Sequence, residues 1–252
     1  MEVCQIAFTV LKFKKEVCTM LDKKTIKDSK KIKSVLGGVL LAWLAIVLTL
    51  GANETLVREP GTPPLLLFIA VLAPIIVFFA AYWFVSQFRD LVLSMDLQFA
   101  AGIQAWRFGG LGFIALYAYG VLPGLFAWPA GLGDMAIGFT AVWVLRALRD
   151  RPDFVKSRAY RTWNLLGILD LVTAVSLGAV SSYLGIGISE TITTFPMARL
   201  PLVLIPAFLV PLFIMLHVTS LIQSRKLAAA GKSCAWVGQR IQCGIEETMT
   251  KA

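Results

Sequence analysis

The stretch PLLLFIAVLAPIIVFFAAYWFVSQF, Pro64 to Phe88, holds no charged side chain, and its reading decides the fold. As an α-helix rising about 1.5 Å per residue it is long enough to cross a hydrocarbon core of about 30 Å. Pro74 near its middle removes one helical hydrogen bond and is expected to kink the span, a defect that neighbouring helices in a bilayer can absorb. Apolar runs of comparable length recur on either side: Val35 to Gly51 before it, and Phe99 to Leu122, Gly131 to Leu148, Tyr160 to Leu184 and Met197 to Ile222 after it. The expected fold is all-α, a polytopic transmembrane helix bundle of about six spans. Pro123 to Pro129 reads as a tight apolar turn between the third and fourth spans, and Arg89, Asp90 and Asp96 mark a polar stretch leading into the third.

Composition points the same way, since 58% of the 252 residues are hydrophobic and 15% charged, with a mean hydropathy of +0.76. A water-soluble core does not need so much apolar surface. The first run is short and ends in Thr49-Leu50-Gly51, which resembles a weak leader-cleavage site; a retained helix is the expectation.

The net charge of +9 sits beside the apolar runs. Nine lysines lie in residues 1–33; Arg146, Arg149, Arg151, Lys156, Arg158 and Arg161 flank the loop between the fourth and fifth spans; Arg225, Lys226, Lys232 and Arg240 follow the sixth. The alternate loops carry only Arg58, with Arg199 at the mouth of the sixth span. Lys and Arg concentrate on the cytoplasmic side, so both termini are expected there. The chain then divides into a basic cytoplasmic segment 1–33, a transmembrane domain 34–224 and a cytoplasmic tail 225–252. Val3, Ile6, Ala7, Val10 and Leu11 read equally as a surface-lying amphipathic turn and as a frayed tail. Nucleic acid is not an expected partner, because no basic and aromatic surface lies outside these flanks. Cys4, Cys18, Cys234 and Cys243 all fall in the two tails without a Cys-x-x-Cys pair, so neither disulfides nor a zinc site is expected.

Ionisable side chains are expensive in hydrocarbon and normally face a partner inside the bundle. Arg107, Asp134, Asp170 and His217 are the ones within spans. Counting helical rise from the basic ends places Arg107, Asp170 and His217 at a common depth, with Gln104 and Asn164 near enough to supply hydrogen bonds. Trp163, Gly167, Asp170, Ala174, Gly178 and Ser181 form a stripe of mostly small residues suited to close helix packing. Asp134, near the start of the fourth span, and Arg199, at the start of the sixth, suggest a second, outer polar pair. Each group has a plain reading beside the functional one: a register-fixing ion pair for Arg107 with Asp170, and a hydrogen-bonded packing residue for His217 rather than a proton carrier or haem ligand. Pro201, Pro206 and Pro211 should bend or locally unwind the sixth span.

Metalloprotease, serine-hydrolase, nucleotide and dinucleotide motifs are missing, and Asp134 and Asp170 are expected in opposite halves of the membrane, so neither an enzyme nor a cofactor is expected. From Gln104 to His217 the chain resembles a group of uncharacterised bacterial multi-pass membrane proteins. The resemblance rests on Gln104-Ala105-Trp106-Arg107, Tyr119 to Pro123, GDMAIG from Gly133 to Gly138, WNLLGILDLV from Trp163 to Val172, and the run Pro201 to His217. It implies a membrane fold and no substrate. The expected partners are the lipid bilayer and a small solute or proton, with a homo-oligomer left open. The two functional readings are a small-solute or proton-linked permease-like protein and a non-catalytic membrane scaffold or assembly subunit.

Overall fold

The structure is a computed structural model that describes residues 34–58, 64–184 and 192–249, with side chains described as far as 182 in the second stretch and 229 in the third. The basic amino-terminal segment with its amphipathic stretch, and the side chains of the four cysteines, lie outside these residues.

Every regular element among the described residues is helical. Helix α1 is Ser34–Ala52 and α2 is Leu65–Phe84, with Pro74 inside it. Val85 is extended, at φ −113° and ψ 105°, and separates α2 from α3, Ser86–Ser94. Arg89 and Asp90 of the polar stretch that leads into the third span thus lie in a helix of their own. The buried Val92 and two bonds from Gln223 Nε2, to the carbonyls of Val92 at 2.8 Å and Met95 at 3.0 Å, hold it to the bundle. Asp96 then caps α4, Leu97–Ile103, by accepting the Gln98 N–H at 2.8 Å.

The third span is not one continuous α-helix. After α4 it tightens into a 3₁₀ segment, Gln104–Gly110, and resumes as α5, Leu111–Ala118. Gly120, at φ 70°, ends it by letting the Val121 N–H donate back to Leu116 O at 2.8 Å. Helix α6 is Gly124–Asp150 and contains Pro129; the expected turn at 123–129 is instead its first turns. A short 3₁₀ turn, Pro152–Lys156, leads into α7, Arg158–Leu184. Another, Phe195–Ala198, precedes irregular chain around Pro201. The proline-rich sixth span begins with a π-helical turn, Ile205–Leu209, whose Pro206 cannot donate to the ladder, and continues as α8, Val210–Met249. α8 runs unbroken through the expected boundary at 224.

Six of these stretches are long and apolar enough to span a membrane: Ser34–Ala52, Leu65–Phe84, Leu97–Ala118, Gly124–Asp150, Arg158–Ser182 and Ile205–Ala229. The distribution of side chains is the reverse of a soluble protein's. Leu41, Ile76 and Leu169 stand 58–68% exposed, while Gln104, Arg107, Asn164 and His217 are all 2% or less. Apolar groups gain nothing by leaving lipid for another apolar surface, so close packing and polar contacts hold such helices together. Small residues do this work between the 3₁₀ segment and α6. A Cβ on Gly138 would stand 2.5 Å from Phe108 N, and one on Gly131 would stand 2.9 Å from Gly110 O, so the two backbones nearly touch.

A candidate polar site around Arg107

The 3₁₀ segment sets the site. With three residues per turn, Gln104, Arg107 and Gly110 superimpose on one face, and all three are buried. Gly110 lies against α6, where a Cβ would meet Asp134 Cβ at 2.5 Å. The Arg107 side chain, fully enclosed, is carried inward between α6, α7 and α8.

Its guanidinium is bonded along every edge. Nε donates to Asp134 Oδ1 at 2.7 Å, and Nη2 donates to Asp170 Oδ2. Nη1 lies 3.3 Å from Gly167 O and 3.2 Å from His217 Nε2. The Phe213 ring packs beside the cation, with Cζ 5.9 Å from its centroid. An arginine has only donors, so His217 Nε2 must accept; Nδ1 then carries the proton and donates to Asn164 Oδ1 at 2.9 Å. Asn164 Nδ2 in turn donates to Tyr160 O at 2.8 Å. The chain of bonds fixes a neutral imidazole whose nitrogens are both engaged, leaving none for an axial haem bond.

Three glycines make the site possible. A side chain on Gly133 would overlap the Asp170 carboxylate, one on Gly167 would overlap the His217 ring, and Gly138 admits the backbone of Arg107 and Phe108. Trp163 closes one side, its ring 5.4 Å from that of His217 and its Nε1 donating to Thr140 Oγ1 at 2.9 Å.

Arg107, Asp170, His217 and Asn164 thus meet directly, and Gln104 lies alongside, with Nε2 3.4 Å from Phe213 O. The expected outer pair of Asp134 and Arg199 does not form. Asp134 belongs to Arg107, and Arg199 Nε instead lies 3.5 Å from Glu54 Oε1 at an exposed position. The cause is the start of α6: with the helix beginning at Gly124 rather than Gly131, Asp134 lies ten residues, or about 15 Å, along it. The expectation that Asp134 and Asp170 occupy opposite halves fails for the same reason. One guanidinium stands between them.

The electrostatic outcome is unequal. One positive group faces two carboxylates, each only 14–15% exposed, so the ionised trio carries one surplus negative charge. Asp134 also borders a cleft of about 80 Å³ between α2, α5, α6, α7 and the π-helical turn. No three His, Cys, Asp or Glu side chains gather around a single point among the described residues.

Fold and site together define a polytopic helical membrane protein with an arginine–dicarboxylate centre buried among its spans. The chain belongs to the family described as a domain of unknown function (DUF8737), which matches residues 64–225 and so includes every member of the centre. No curated protein and no solved structure matches the chain.

Proposed function

We propose that this is a small-solute or proton-linked permease-like protein of a bacterial inner membrane, both termini cytoplasmic, in which Arg107, Asp134 and Asp170 form an exchangeable proton site. The observation that carries the reading is the charge mismatch. A lock that only fixed helix register would need one carboxylate per guanidinium; a second, kept ionised in low dielectric, has no compensating partner and favours taking up a proton or a cation. The broken geometry of the third span and the π-helical start of the sixth support it, because the first carries Arg107 itself and the second lines the cleft that Asp134 borders. The orientation is supported by the basic residues around 146–161 and after 225.

The test is infrared spectroscopy of purified protein titrated from about pH 4 to about pH 9, a range that brackets ordinary carboxylates. A protonated-carboxyl band that titrates, and that Asp170→Asn removes or shifts while the protein stays folded, supports the site. Proteoliposomes carrying a trapped pH dye should then show proton movement in wild type and none in Asp170→Asn. A scaffold role is favoured by the complete hydrogen bonding of Arg107; it predicts no titrating band and a loss of folded protein in Asp170→Asn.

A further inference from the structure

We infer that the cleft above Asp134 is a binding site for a small monovalent organic cation, an alkylammonium with a short apolar body. This rests on the surplus-charge reading of the Arg107 centre and names the ligand class that would exchange with its proton.

Three observations converge. Among the described residues Asp134 is the only ionisable side chain on the cleft wall, so there an anion would meet one carboxylate and no cation. Asp134 gives Oδ1 to Arg107, while Oδ2 makes no hydrogen bond among the described residues and is not fully buried. Apart from two hydroxyls the remaining wall is apolar and aromatic. Phe68, Phe113 and Phe126 line it, with Phe113 and Phe126 edge to face at 5.3 Å. Aromatic faces attract an ammonium group and its adjacent methylenes but give no comparable gain to a carboxylate. The two hydroxyls on the wall bond to each other, Ser182 with Thr194, and Thr194 donates further to Gly178 O at 2.6 Å. They are already occupied and do not call for a sugar or another polyhydroxylated solute.

The cleft volume of about 80 Å³ sets the size. At roughly 10–15 Å³ per water-sized group it takes on the order of five to eight non-hydrogen atoms. n-Butylammonium fits this size, with its nitrogen at Asp134 Oδ2 and its chain among the phenyl rings.

Calorimetric titration of the full chain in lipid nanodiscs with n-butylammonium, n-butanol and butyrate tests the inference. Wild type should bind butylammonium with a Kd of roughly millimolar or tighter, butanol about tenfold to a hundredfold more weakly, and butyrate not at all. Val175→Phe fills the cleft from α7 while keeping Arg107, Asp134 and Asp170 themselves, and should abolish binding. Asp134→Asn should weaken it about tenfold to a hundredfold where it folds. Equal binding of butanol and butylammonium, no binding to wild type, or binding untouched by Val175→Phe each overturns the site. The infrared titration separates the two failures: a titrating carboxyl band without amine binding sinks this inference alone, and absence of the band sinks the proton reading.

Discussion

Arg107 is the residue on which the others depend, because two carboxylates and an imidazole are arranged around it. Arg107→Leu leaves Asp134 and Asp170 facing each other without a cation and should cost about 3–5 kcal/mol, read as a large fall in Tm and in membrane yield. Arg107→Lys should recover little, since an ammonium cannot address Asp134 and Asp170 from two edges of a rigid fork. Removing only Arg107 and Asp170 still strands Asp134. The triple variant Arg107→Leu, Asp134→Leu, Asp170→Leu should therefore be more stable than either Arg107→Leu or the double variant, and thermal unfolding in detergent checks the order. At this scale the sequence was informative about identity and incomplete about pairing. The rarity of charge in a span marks Arg107, Asp134, Asp170 and His217 outright, but partners follow from depth, and the depth of Asp134 hinges on where a helix begins.

Elements rather than single residues explain that miss. Residues 123–129, PGLFAWP, contain two prolines and a glycine and so read as a turn. In the structure Pro123 lies just before α6, where its missing N–H is no loss, and Pro129 lies within the helix. The signal that would have corrected the reading is length: Gly131 to Leu148 is short for a span, whereas Gly124 to Asp150 is ample. Likewise the 3₁₀ turn at Arg107 is not visible in hydropathy; it lies in close contact with Gly131 and Gly138 on the neighbouring helix. This gives an element-scale contrast between glycines. Gly138→Ala drives a methyl into the backbone of Phe108 and should cost about 1–3 kcal/mol. Gly112→Ala, with nothing within 4 Å of the new carbon, should be neutral or stabilise by up to about 1 kcal/mol. Paired melting curves distinguish them.

For the molecule as a whole, alternation of apolar runs with basic loops was enough to read six spans, because a bilayer forces the chain into helices of fixed minimum length. The orientation is a separate matter of charge, and it is testable: in a variant with its four cysteines changed to Ser, Asp153→Cys should be labelled only from the cytoplasmic side and Asn53→Cys only from the opposite side. The reverse pattern would invert the topology. On the proposed transport reading, the uneven centre also sets how exchange responds to voltage. A unit charge carried through the full membrane potential gains or loses about 2.3 kcal/mol per 100 mV. Unloaded, the trio of Arg107, Asp134 and Asp170 is an anion; loaded with either a proton or a monovalent ammonium, it is neutral. One-for-one exchange would then shuttle only uncharged complexes through the field. Collapsing the potential with potassium and valinomycin should leave such exchange unchanged, while net movement, which must return the empty anionic centre, should change with it.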